Sequence, residues 1–213
     1  MRILNLYSGI GGNRKLWNNS EITEIVSVEL NPEYCYIYST LFPNDKIIQI
    51  DAKKYLLENY NDFDFIWISP PCQTHSNARH FEPRYIDLSL YQLIIFCQKF
   101  VKCKWVIENV QPYYDYLIKP NAIIDRHAFW SNFRISDIEH DSKKYFTNNF
   151  EKTTVKQFQE ILGIDLSHIK IKGLKKITIL RNCVHPITGK LILDRAIKPN
   201  KTIFDFSALE VKS

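Results

Sequence analysis

A chain of 213 residues with 45% hydrophobic composition is long enough for one well-buried domain carrying at most a small appendage, and too short for two full domains. The formal net charge of +5 is a modest basic excess that suits a polyanionic partner without specifying one. The five cysteines (Cys35, Cys72, Cys97, Cys103 and Cys183) are odd in number and lack metal-type spacing, nothing at the amino end reads as a signal peptide, and no apolar run reaches the roughly 18 residues of a membrane span. Free thiols in a reducing, cytoplasmic compartment are the expectation, with no membrane and no metal. The six histidines likewise lack close pairing with cysteines at ligand spacing.

In chain order, residues 1–7 form an apolar strand that runs into Ser8-Gly9-Ile10-Gly11-Gly12. Glycines after a first strand allow a sharp turn and bring backbone N–H groups, with the amino end of a following helix over residues 13–17, against a ligand. Residues 25–30 are a second strand closing on Glu29, about 20 residues beyond the glycines, where a carboxylate can accept both hydroxyls of a ribose. A helix follows over 31–41, opened by Asn31-Pro32. Residues 47–50 are a third strand reaching Asp51, which either accepts from an adenine amino group or caps a helix over 52–58.

Residues 63–69 make a fourth apolar strand, broken by Ser69-Pro70-Pro71 because proline has no N–H for a central ladder. Cys72 therefore lies just beyond the carboxyl end of a strand, where α/β sheets carry their chemistry; a buried structural thiol is the plain alternative. Residues 73–89 are polar, with Ser76, Arg79, His80 and Arg84, and read as a mobile loop whose basic groups can hold phosphate. An amphipathic helix over 88–101 leads to a fifth strand, 104–110, with Glu108-Asn109 at its carboxyl end. A thiol and a carboxyl are thus presented to one cleft of a mostly parallel α/β sheet.

These motifs, in this order, resemble the DNA cytosine-5 methyltransferases. Asn5-Leu6-Tyr7-Ser8-Gly9-Ile10-Gly11-Gly12 is similar to the family's first motif, Ser69-Pro70-Pro71-Cys72-Gln73 to its nucleophile motif and Ile107-Glu108-Asn109-Val110 to its E-N-V motif. Arg126-His127 stands in an altered arginine motif, and Leu180-Arg181-Asn182-Cys183-Val184 in an altered late asparagine motif. The resemblance implies a Rossmann-like S-adenosylmethionine-dependent fold. It assigns Cys72 as nucleophile on cytosine C6, Glu108 as proton donor to N3, and either Arg126 or His127 as the partner of O2. It also places Tyr7, Ser8, Gly9, Gly11, Gly12, Glu29, Asp51, Pro70 and Asn182 around S-adenosylmethionine. Gln73, Ser76, Arg79, Arg84 and Asn109 fall on the nucleic-acid side, with Gln73 and Asn109 orienting backbone and Asn182 bracing the nucleophile loop.

The implied partner is double-stranded DNA, from which the target base is everted at a cost of a few kcal/mol. The implied setting is the cytoplasm, in association with the nucleoid. The implied division is a catalytic region over 1–135, a reduced target-recognition region over 136–179 and a return to the catalytic domain over 180–213, closed by a helix or strand at 189–197. A region so short, with a helix at 155–162 and lysines (143, 144, 170, 172, 175 and 176) suited to phosphate or to solubility, points to a short recognition sequence or to a second subunit. A transfer-RNA cytosine-5 methyltransferase and a non-catalytic DNA-binding subunit of the same fold are the alternatives. An amino methyltransferase would carry an aromatic residue in place of Cys72.

Overall fold

In a computed structural model of the chain, residues 1–76, 85–138 and 153–198 are described. The apolar runs pair into one seven-stranded sheet: β1 (Arg2–Leu6), β2 (Glu24–Glu29), β3 (Lys46–Gln49), β4 (Phe65–Ile68), β5 (Lys104–Val110), β6 (Ala122–Ile124) and β7 (His127–Ser131). The spatial order is β3-β2-β1-β4-β5-β7-β6. The first five strands are parallel, as the sequence predicts, and β7 runs antiparallel to both β5 and β6. That final hairpin is an addition to the sequence reading, which left residues 122–131 without a strand.

Alternate residues of the central strands are buried on opposite faces, so each strand reads as a continuous apolar run rather than an alternating one. Leu4, Leu6, Val28, Ile66, Ile68 and Ile107 pack with α2 (Ala52–Asn59) and α3 (Ser89–Phe100). Ile3, Ile25, Phe65, Trp67 and Val106 pack with Trp17 and α6 (Pro186–Ile197). A three-layer sandwich results, with the sheet ends left free for chemistry.

Local signals set the helix starts. Asn31 caps α1 (Pro32–Leu41) by accepting from the N–H of Glu33 at 2.8 Å, with proline in the first turn. Thr154 and Gln157 form a capping box on α4 (Val155–Leu162), and Gly163 ends it in the left-handed region. His185 and Pro186 open α6, resolving the predicted helix-or-strand at 189–197 as helix.

The predicted helix over residues 13–17 does not form. The N–H groups of Arg14, Lys15 and Trp17 bond three residues back, as consecutive turns. Asn13 is tied instead to Asn5, its side-chain N–H donating to the Asn5 side-chain oxygen at 2.9 Å. Gly189 packs so close beneath that an added Cβ would lie 2.1 Å from the Asn13 carbonyl oxygen. Arg14 then makes a bidentate pair with Asp45, at 2.7 and 2.9 Å, which locks the segment to the far side of α1.

The region expected to read the target is likewise reassigned in part. Phe158 and Leu162 of α4, with Leu166, Ile169 and Ile179, form one apolar cluster with Ile10 of the glycine loop and Ile37 of α1. Residues 153–181, including α5 (Lys176–Arg181), are therefore a buttress of the catalytic body. The Lys176 ammonium, expected to suit phosphate or solubility, donates to the Leu166 carbonyl. Lys143 and Lys144 lie outside the described residues. Among the described residues no helix is long and apolar enough to cross a membrane.

Candidate active site

The order of strands places a topological switch between β1 and β4, whose connections leave toward opposite sides of the sheet. In open parallel sheets, ligands bind in the crevice outside the carboxyl ends at such a point. The loops after β1 and β4 meet there and are knit to the sheet: the Ser8 N–H donates to the Val28 carbonyl at 3.1 Å and the Ser69 N–H to the Leu6 carbonyl at 3.2 Å.

Cys72 is half-buried at the tip of the second loop. Asn109, 1% exposed at the end of β5, donates to the Pro70 carbonyl at 3.0 Å, so the orienting role read from the sequence corresponds to a defined bond. The Cys72 carbonyl accepts from the N–H groups of His75 and Ser76, both at 3.0 Å. His75 is buried with its Nδ1 2.6 Å from the Tyr114 hydroxyl, and Ser76 forms a β-bridge to Pro112. Both stems of the expected mobile loop are thus anchored, the second by Asp87 against Thr74 and by the Tyr85 carbonyl accepting from Tyr113. Gln73 is exposed beside the thiol. Arg79 and Arg84 lie outside the described residues.

Glu108 projects from β5 on the same face as Val106, and is buried. Burial penalises its charged form and pushes its carboxyl up to about 7, against the smaller opposing effects of a hydrogen bond from Ser69 and the charge of Arg126. The acid form, the state needed to give a proton, is therefore substantially populated near neutral pH.

Arg126 sits at the two-residue tip of the β6–β7 hairpin. Asp125 holds φ at +56°, a conformation open to aspartate. Gln111 clamps the tip, its backbone N–H donating to the Arg126 carbonyl and its side-chain N–H to the Asp125 carbonyl, both at 3.2 Å. The guanidinium donates to the Arg181 carbonyl and interacts electrostatically with Glu108, Cys72 and Cys183. His127 differs: it is buried, burial holds it well below the usual imidazole range, and its Nε2 is 3.7 Å from Glu108, beyond hydrogen-bond reach. Of the two residues left open by the sequence, Arg126 is the cation at the cleft and His127 a neutral wall.

Around the glycine loop, Glu29 is held by two N–H groups, Gly9 to one carboxylate oxygen and Asn31 to the other, each at 2.9 Å. Each oxygen keeps a lone pair for a further donor. An added Cβ at Gly9 would meet nothing within 4 Å, so the backbone there borders open space, and the Ser8 hydroxyl is buried without a protein partner. An open cradle, a fixed carboxylate and an unsatisfied hydroxyl fit a nucleoside carrying polar groups. Gly11 and Gly12 are buried, the first beneath Phe42 and the second beneath Cys183. Half-buried Tyr7 and exposed Leu30, the latter missed by the sequence reading, flank the crevice at the ends of β1 and β2. Burial pushes the Tyr7 phenol up to about 12.

Two of the expected ligands also make contacts that serve the fold. Asp51 caps α2, accepting from the Lys54 N–H at 2.7 Å, which satisfies the helix-start alternative. Asn182 caps the end of α5, and its side chain hydrogen-bonds Tyr34 of α1 in place of the nucleophile loop. Gln111 and Ser69 escaped the sequence reading as positioning groups. Their only signal was adjacency to Asn109 and Pro70. Among the described residues no group of three or more His, Cys, Asp or Glu side chains could hold a metal ion.

A doubly wound sheet with an antiparallel terminal hairpin, a glycine loop after β1, and a thiol beside a neutral carboxyl after β4 and β5 define a Rossmann-like methyltransferase fold. Residues 1–112 match the C-5 cytosine-specific DNA methylase family, and the chain belongs to it. It is 32% identical over 81 residues to a Type II methyltransferase, M1.HphI, from Haemophilus parahaemolyticus, a match spanning 35% of this chain and 22% of that relative. By fold it is similar to a mutant DNMT2 from Spodoptera frugiperda, at TM-score 0.59 and 14% identity over 92% of this chain and 99% of that one. It is also similar to the methyltransferase EhMeth from Entamoeba histolytica, at TM-score 0.54 and 14% identity over 95% and 99% of the two chains.

Proposed function

We propose that the chain transfers a methyl group from S-adenosylmethionine to C5 of a cytosine everted from double-stranded DNA. The observation that carries the reading is the pairing of β4 with β5, which sets the loop bearing Cys72 beside Glu108 with Asn109 tied to the Pro70 carbonyl at 3.0 Å, and the Arg126 guanidinium acting on both groups. A neighbouring guanidinium favours the thiolate of Cys72, the nucleophilic form. The thiolate adds to C6 of the pyrimidine, forming a C–S bond, and the ring electrons move toward N3 and O2. Glu108 gives its proton to N3, and Arg126 hydrogen-bonds the oxygen at C2. C5 thereby becomes an enamine carbon. The bound S-adenosylmethionine supplies an electrophilic methyl group. Loss of the C5 proton to water, departure of the Cys72 thiolate and return of the N3 proton to Glu108 then restore the aromatic ring and the acid. Glu29 receives the ribose hydroxyls of the donor, Ser8 and the Gly9 backbone its polar tail, and Tyr7 and Leu30 flank its adenine. Pro70, Gly11 and Gly12 shape the pocket without reacting.

Of the recognition region expected over 136–179, residues 153–179 carry the apolar side chains that pack against the glycine loop and α1. A short target sequence, or one read with the help of a second subunit, follows from this.

The test is transfer of tritium from methyl-labelled S-adenosylmethionine to duplex DNA and, in parallel, to transfer RNA. Label in 5-methylcytosine of the DNA supports the reading. Label in transfer RNA alone would replace the substrate, and donor binding without turnover on either would favour an accessory subunit.

A further inference from the structure

Ser69 is the last residue before the two prolines, one step beyond the β4–β5 pair Ile68 and Ile107, and so lies beside Glu108. Its hydroxyl oxygen accepts from the Trp67 indole N–H at 2.8 Å. Trp67 is fully buried, with Trp17 and Phe129 rings against it, so that N–H cannot swing away. An indole nitrogen only donates and a serine hydroxyl has a single proton to give. With its oxygen already engaged by Trp67, Ser69 has its one proton to direct toward the neighbouring Glu108 carboxyl, whose charged form it favours.

We propose that Ser69 is a positioning residue for the acid of the site: the chain Trp67 to Ser69 to Glu108 fixes which carboxyl oxygen accepts, leaving the other to carry the proton toward the base. This rests on the reading of Glu108 as the donor to N3. The opposite side of Glu108 offers no competing bond of this kind, since His127 is neutral and 3.7 Å away. Arg126 is the nearby cation. A bond from Ser69 favours the charged carboxylate, so it also keeps the acid from rising too far above neutrality to release its proton.

The experiment follows the Glu108 carboxyl directly, by NMR of protein labelled at the glutamate δ-carbon, in wild type, Ser69→Ala and Ser69→Thr, alongside turnover against pH. In Ser69→Ala the titration midpoint rises by about half a unit or more. Its kcat falls on the order of tenfold with KM for DNA little changed, and the decline of kcat at high pH moves upward with the midpoint. Ser69→Thr keeps the hydroxyl and restores both. An unmoved midpoint in Ser69→Ala, or equal behaviour of the alanine and threonine variants, overturns the relay. Because the NMR reading needs no turnover, a shifted midpoint in a protein whose wild type transfers no methyl group would uphold the Trp67–Ser69–Glu108 bonding and overturn the methyltransferase reading instead.

Discussion

The two halves of the chain close on the same sheet but bring different goods to it. Residues 1–112 place every candidate reactive group except Arg126 at the carboxyl ends of parallel strands or on the loops that leave them, where bonds such as Asn109 to the Pro70 carbonyl hold them. Residues 153–198 supply apolar side chains: Phe158, Leu162 and Ile179 close the outside of the glycine loop and of α1, and Ile192 packs with Trp17 against the sheet. They meet the chemistry at its edge, through the Arg181 carbonyl that receives Arg126 and through Cys183 beside the same guanidinium. Reactive groups need strand ends and little area, whereas the glycine loop, which has few side chains of its own, needs a second surface to stand against.

Substitutions can break this division. The largest effect is expected at Glu108. Glu108→Gln should lower kcat by on the order of 10²–10⁴ because the proton donor is gone. It should also stabilise the fold at high pH. The carboxyl ordinarily titrates at 4.5 and is raised to about 7 in the fold. Folding therefore favours its protonated form, stability is complete below about pH 4.5, and it declines as pH rises through about 7. The glutamine variant escapes that decline, a gain on the order of 1–3 kcal/mol above pH 8 in chemical denaturation.

In the other half, Phe158→Ala should cost about 3–5 kcal/mol in the same denaturation measurement. The effect on S-adenosylmethionine should appear as weaker binding through the Ile10 loop, with the Glu108 titration unchanged. Arg126→Ala, which removes the guanidinium held by the Arg181 carbonyl, should reduce kcat by on the order of 10²-fold while leaving the melting temperature nearly unchanged, as for loss of a donor to developing negative charge. The smallest effect belongs to Asp51→Ala. As a helix cap it should lose about 1 kcal/mol of stability, and calorimetric affinity for S-adenosylmethionine should hold within a few-fold. A loss of a hundredfold in affinity would return Asp51 to the adenine.

The first half was readable because each of its signals is local. Ser69-Pro70-Pro71 must end a strand, Asn31-Pro32 must start a helix, and Glu29 must stand at the end of an apolar run. What escaped is set by residues distant in the chain. The turns at residues 13–17 replace a helix because Asn5 and Gly189 claim Asn13 from either side. Arg126 and His127 could not be ranked from their adjacency, since the hairpin that exposes one and buries the other depends on Gln111 and on pairing with β5. Charge alone left the lysine-rich stretch open between a phosphate-binding and a merely solvated surface. The apolar residues between the lysines, spaced to cover Ile10 and Ile37, belong to the core.

The central claim is that Cys72 attacks a cytosine while Glu108 protonates it. Duplex DNA carrying 5-fluorocytosine, mixed with the protein and S-adenosylmethionine, tests this most directly, because the fluorine cannot leave and the adduct cannot eliminate. The account predicts a complex stable to denaturant, with the DNA attached to the peptide that contains Cys72, and its loss in Cys72→Ser. Methyl transfer without a trapped complex, or a complex that survives Cys72→Ser, would contradict it.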